Sequence, residues 1–430
     1  MTDIAGLLRH TFLSTVAHIA DRIEAGVTEG LSDINDAIRP EGHVILIAFG
    51  KASRPMARSA VEVLAPVRDR TSGLLVPAND DVDPMPPLEV VAGGHPLPTA
   101  GSFAAAKRAL ELAHCAGPED FVVFLVSGGG SALLDLPIDL DVTVEEWRLL
   151  QRALVASGAP IERINAVRMR LSAVKGGRLG AAARNARERR TLFVSDVPGG
   201  FESIASGPTV RCATGRDTLQ RDLDELQLWD ALPATLRARA RADQIPALPD
   251  DDEVSGSAVT IADERHCRQH AAAALGRAGV VVDDTLDVDD LPVRYAAAAA
   301  LTSVEKLRVA HPNRLVAVVT TGELSVPLPD EVGRGGRNQH FALACAQLIQ
   351  NQSVAVLSCG TDGVDGNSPA AGAIVDGETA ALAATNQLDV EDHLQRFDAH
   401  TLLQRLGCTV ETGPTGVNVR DLRILIARPV

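Results

Sequence analysis

The sequence predicts an α/β protein of two domains, each a largely parallel sheet flanked by helices. Three observations carry the fold. The chain has 430 residues, more than one ordinary hydrophobic core accommodates. Short β-branched runs alternate with helical stretches along most of its length. Aromatic residues are only 3% of the sequence, so Ala, Val and Leu must build the core, which suits buried strands under alanine-rich helices.

Taken in order, residues 1–23 set Ile4, Leu7, Leu8, Phe12, Val16, Ile19 and Ile23 near helical spacing, without the basic start and continuous apolar centre of an export signal. Strands are expected within 43–50, 121–129, 191–197, 257–263, 279–286, 314–323 and 353–363. Helices are expected at 267–279, 293–310 and 338–350, and after the capping box that Thr143 and Glu146 form ahead of WRLLQRALVASG. Prolines and blocks of opposite charge mark a linker near 240–255, dividing an N-terminal Rossmann-like domain, 1–245, from a C-terminal domain, 246–430. The last segment, VNVRDLRILIARPV, is a strand that either domain can accept.

The net charge of −15 argues against a nucleic-acid or anionic-membrane surface, and no apolar run is long enough to span a bilayer. The six cysteines are scattered without a CxxC pair and read as reduced thiols of a cytoplasmic protein. A homodimer is the default expectation for assembly.

Chemistry concentrates at strand ends. HVILIAFG runs into Lys51. LVSGGGSALL carries Ser127, Gly128, Gly129, Gly130 and Ser131. TLFVS delivers Asp196, RLVAVVTTG delivers Glu323, and AVLSCGT delivers Asp362. Each alone reads as a turn or cap. Their recurrence beyond the carboxyl ends of strands, where open α/β sheets bind ligands, makes a constellation. Free N–H groups of SGGGS and of the short helix after it favour an anion. Arg168, Lys175 and Arg178 lie around a helix expected to run to Gly176–Gly177, and Arg334 and Arg337 in a glycine-rich approach to another. An arginine gains nothing from the dipole at a helix start, so a bound anion is the better explanation for Arg334 and Arg337. His95 lies in the turn GGHPLP, where a structural role is the simpler reading.

No GxxxxGK[ST], no strand-linked GxGxxG, no HExxH and no GxSxG occurs. Glycine-lined anion sites with strand-end acids and cations suit Mg²⁺-assisted phosphoryl transfer, in which positioning and charge neutralisation do most of the work.

GKAS, GGHPLP, VSGGGSALL, NAVRMRLSAVKGGRLG, SDVPGG with IASGPT, TTGE, GRGGRNQ and CGTDGVDG occur in this order from about Gly50 to Asn418. The set resembles the class II glycerate kinases (glycerate 2-kinases), also labelled hydroxypyruvate reductases, whose C-terminal part is the MOFRL domain, here about 314–420. The resemblance implies transfer of a phosphoryl group from ATP to the 2-hydroxyl of D-glycerate, with Mg²⁺, and two α/β domains with the active site in the interdomain cleft. It singles out the GKA lysine and the GGRNQ arginine, Lys51 and Arg337. Chemistry suggests the remaining roles: Ser127, Gly128–Gly130, Ser131 and Lys175 on the nucleotide phosphates; Asp196, Glu323 and Asp362 on Mg²⁺, with Asp196 alternatively the base; Lys51 and Arg337 on the glycerate carboxylate or the phosphoryl group; and Asn338, Ser127 and His95 on substrate hydroxyls. The alternatives are an NAD(P)H-dependent hydroxypyruvate reductase, which lacks its dinucleotide fingerprint here, and a non-catalytic sugar-acid binding protein.

Overall fold

The computed structural model describes residues 3–78, 82–213, 218–327 and 331–429. Two compact units divide the chain: Arg22–Ala262, and Met1–Asp21 together with Asp263–Val430. The division falls later than the expected 245, because residues 257–262 complete the first sheet. The expected N-terminal helix forms as Ile4–Leu31, buries Leu8, Phe12, Ile19 and Ile23, and gives its first turns to the second unit.

The first unit holds a wholly parallel six-stranded sheet of β1 (Val44–Gly50), β2 (Thr71–Pro77), β3 (Leu88–Val90), β4 (Phe121–Ser127), β5 (Glu188–Val194) and β6 (Ser257–Ala262), in the order β3-β2-β1-β4-β5-β6. Strands β1 and β4 are buried at every residue, as unbroken apolar runs require when both faces are covered. Ala105, Ala106, Ala109 and Ala113 of helix Ala100–Cys115 share a core cluster with Ile47, Phe124 and Val126. Their small side chains let the helix lie close to the bulky strand residues. The order reverses between β1 and β4, since β1 leads outward to β2 and β4 outward to β5. Such a switch point opens a crevice at the strand ends.

The second unit holds β7 (Val281–Asp283), β8 (Val316–Thr321), β9 (Val354–Gly360), β10 (Gly372–Asp376), β11 (Thr409–Val410) and β12 (Asp421–Ala427), ordered β11-β10-β9-β12-β8-β7. Here β7 and β8 pair in parallel, whereas the final strand β12 lies antiparallel between β8 and β9. The C-terminal segment therefore completes its own unit's sheet and does not return to the first. Ala296, Ala297 and Ala300 of helix Val293–Ala310 and Phe341, Ala342 and Ala346 of helix Arg337–Leu348 cover it.

A close approach within a strand is at Gly73 of β2, where a Cβ would lie 1.9 Å from the Leu46 carbonyl oxygen of β1. Gly73→Ala is expected to destabilise the protein by about 1–3 kcal/mol, whereas Ser72→Ala, at an exposed position, leaves it near wild type. Urea denaturation of the two variants checks this, and equal midpoints would contradict the packing described.

Candidate active site

At the switch point three turns meet. Gly50 ends β1 and Lys51 follows, with its amide donating to the Gly128 carbonyl at 2.8 Å. The Ala52 amide donates to the Ser127 hydroxyl at 2.9 Å, so Ser127 is a buried brace between the β1 and β4 turns. The triple glycine answers a demand for close approach. A Cβ on Gly128 would lie 1.6 Å from an Asp196 carboxylate oxygen. Gly129 has φ +78°, and a Cβ there would meet His95 Cδ2 at 3.2 Å and Lys51 Cγ at 3.3 Å. Gly130 opens the short helix Gly130–Leu133 against Phe49 and Ala205. Lys51, His95 and Asp196, from three separate segments, therefore converge on one glycine turn. Burial, and then the Lys51 charge, push the His95 pKa below the ordinary range. That holds the imidazole neutral near pH 7.

Ser131 shares a hydrogen bond with Ser206 at 2.9 Å, and Ser206 donates to Asn165 Oδ1 at 3.3 Å. Ala205 and Ser206 adopt left-handed φ of 52° and 61°, a strained conformation that cores and sites hold in place by surrounding contacts. Beside this chain lies a cavity of about 440 Å³ bordered by His95, Gly129, Ser131, Gln151, Arg152 and Arg168.

Lys175 is not brought to this cavity. The helix expected to reach Gly176 ends at Leu171, and the chain turns inward, where Ser172 donates to Asp135 at 2.8 Å. Lys175 is 1% exposed and ion-paired with Asp135, which also accepts from Trp147 Nε1 at 2.8 Å. Desolvation lowers the Lys175 pKa, and Asp135 opposes the shift. Its ammonium is thus spent on an internal carboxylate, not offered to a phosphate.

In the second unit, Arg337 donates through Nε to Asp421 at 2.6 Å and pairs through Nη2 with Glu323 at 2.7 Å. Burial opposes its charge, yet the two carboxylates outweigh burial and raise its pKa. The anion expected at the start of its helix is the protein's own. Asp365 accepts from the Asn338 and Gln339 amides at 3.0 and 2.8 Å and from the Gln339 side chain at 3.0 Å. Burial still pushes the Asp365 carboxyl up to about 6. Asn338 is buried, donating to Asp365 and accepting from Ser358 at 2.7 Å, so it braces the helix start and is not set to read a substrate hydroxyl. Asp362 follows β9, where its carboxylate accepts from the Val364 amide at 3.2 Å.

The N-terminal segment 8–241 matches the domain of unknown function DUF4147, and 316–421 matches the MOFRL family. The glycerate 2-kinase of Pyrococcus horikoshii is 32% identical over 394 residues, covering 90% of this chain and 88% of that protein. The chain belongs to the glycerate 2-kinase family. A putative hydroxypyruvate reductase of Agrobacterium vitis is 35% identical over 98% of this chain and 94% of its own length, so both labels occur among the relatives of this glycerate 2-kinase family member. The crystal structure of a glycerate kinase from Thermotoga maritima superposes with a TM-score of 0.85 at 31% identity, covering 99% of each chain.

Among the described residues no three His, Cys, Asp or Glu side chains gather so as to hold a metal ion. Of the acids expected on Mg²⁺, Glu323 and Asp362 lie in the second unit, where Arg337 engages Glu323, and Asp196 lies in the first. Sequence reasoning did not single out Gln151, which borders the cavity, or Asn165 and Ser206, which hydrogen-bond to residues bordering it, and left Arg168 without a role. Asn165, Arg168 and Ser206 stand inside motifs that mark the family, and that was the available signal; Gln151 lies outside them, in a helix that carries none.

If Lys175 is the internal partner of Asp135, Lys175→Met strands a buried carboxylate and costs about 3–5 kcal/mol of stability. Denaturant titration should show this loss, with nucleotide affinity of the folded fraction unchanged. Wild-type stability with weakened nucleotide binding would return Lys175 to the phosphates.

Proposed function

We propose that this protein transfers a phosphoryl group from ATP to the 2-hydroxyl of D-glycerate, giving 2-phosphoglycerate and ADP, as a cytoplasmic enzyme. The observation that carries the reading is the convergence of Lys51, His95 and Asp196 on the Gly128–Gly130 turn at the switch point of the first sheet. The names of its relatives support the same reaction. Phosphoryl transfer asks a protein for little covalent work and much positioning. In this reading the backbone amides of the glycine turn receive phosphate oxygens, with no side chain in the way. Lys51 neutralises charge on the group in transit. Asp196, fixed against Gly128, takes the proton of the 2-hydroxyl as it attacks. Arg337, held rigid by Asp421 and Glu323, is a fixed cation of the second unit. Mg²⁺ is expected to arrive with the nucleotide and would neutralise charge on its phosphates, with Asp196, Glu323 and Asp362 as the candidate carboxylates.

The reductase label finds less support. The first sheet has the strand order of dinucleotide-binding folds, yet the turn after β1 reads FGKAS, without the glycine fingerprint that seats a pyrophosphate on a helix start.

With D-glycerate, ATP and Mg²⁺, product should feed enolase directly. A signal that requires phosphoglycerate mutase, or steady oxidation of NADH by hydroxypyruvate, would refute the proposal. Asp196→Asn should lower kcat by about 10²–10⁴-fold if the carboxylate is the base, and Lys51→Ala should abolish most turnover. Near-normal rates in either variant would remove that residue from its role.

A further inference from the structure

The cavity beside the glycine turn has a charge imbalance. Arg168 donates through Nε to Gln151 Oε1 at 2.8 Å and through Nη1 to Asn165 Oδ1 at 3.5 Å, both neutral amide oxygens. A guanidinium has five N–H donors, so most of its capacity is unspent. Among the described residues no carboxylate forms an ion pair with it: the nearby Asp135 is already committed to Lys175. Buried Asp135, buried Lys175 and largely desolvated Arg168 therefore leave one positive charge in excess, at the cavity wall. Gln151 borders the same cavity and is 5% exposed, and its Nε2, itself buried, has no hydrogen-bond partner. A buried donor left unmade is costly. Arg152 adds a second cation at the rim, and no acid lines the cavity, in a chain whose net charge is −15.

We infer that this cavity is the acceptor-acid subsite, in which Arg168, oriented by Gln151 and Asn165, binds the substrate's carboxylate while its hydroxyl faces the Gly129 turn. The inference rests on the kinase reading and assigns it a carboxylate anchor other than Lys51 or Arg337. A single planar carboxylate matches one excess guanidinium, which it meets with two parallel hydrogen bonds. A triphosphate would need several cations. Arg337 is not available for this task in the same way, since it already carries two carboxylates. Gln151 is a positioning residue that orients the Arg168 guanidinium through its Oε1.

The test is steady-state kinetics of Arg168→Gln with D-glycerate and ATP varied separately. Loss of one partner of a desolvated charge pair should raise the KM for glycerate by roughly 30-fold or more, with the KM for ATP nearly unchanged. Glycerate should raise the melting temperature of the wild type and not that of the variant, a readout that needs no turnover. Gln151→Leu should weaken glycerate several-fold with the same split, and it keeps the inference open to test should Arg168→Gln fold poorly. A raised KM for ATP with glycerate binding intact would overturn the inference and make the anion a nucleotide phosphate. Unchanged constants for both substrates would overturn it as well. Failure of the wild type to phosphorylate glycerate would instead sink the kinase reading, so the two outcomes are distinguishable.

Discussion

The site depends on one close approach. Gly128 has no side chain, and the space a Cβ would fill is taken by the Asp196 carboxylate. That contact locks the turn after β4 to the turn after β5. The same β4 turn is tied to the turn after β1 by the Lys51 amide on the Gly128 carbonyl and the Ala52 amide on Ser127. Three neighbouring strands thereby deliver a lysine, a glycine-lined cradle and a carboxylate to one place, and each is positioned by backbone that the sheet itself makes rigid. A site built on strand ends in this way keeps its geometry without help from a loop that must fold first.

The charges around this point divide into those that are satisfied internally and those that are not. Lys175 is matched by Asp135, Arg337 by Asp421 and Glu323, and the start of the Arg337 helix by Asp365. Buried pairs of this kind contribute more to fixing geometry than to net stability. Arg168, at the wall of the cavity beside the glycine turn, makes its hydrogen bonds to neutral amide oxygens and has no ion pair among the described residues. A guanidinium without an ion pair at a cavity wall suits an anionic group.

Much of the fold was legible in the sequence. The apolar runs at β1, β4, β5, β8 and β9 announced buried strands, and Thr143 and Glu146 form the capping box their spacing implied. Strand β2 was not legible, because TSGLLVP carries a glycine and a proline that read as turn signals. Gly73 is there for close contact with β1, a reason visible only once the strands are paired. The antiparallel insertion of β12 between β8 and β9 was likewise hidden, since an apolar run gives no direction. In the site, residues at strand ends were found because position in the fold and chemistry coincide there. Lys175 and Asn338 were misread because their partners, Asp135 and Asp365, are 40 and 27 residues away in sequence. Whether a polar side chain is already satisfied is a tertiary fact.

The contact between Gly128 and Asp196 is best tested by a double-mutant cycle on kcat, because residues that act through one contact do not contribute additively. Gly128→Ala should leave the protein folded by circular dichroism and lower kcat by about 10²-fold or more, as a displaced base would. Added to Asp196→Asn, it should cost almost nothing further. A Gly128→Ala enzyme with near wild-type kcat, or losses that multiply in the double variant, would contradict the central role given to this close approach.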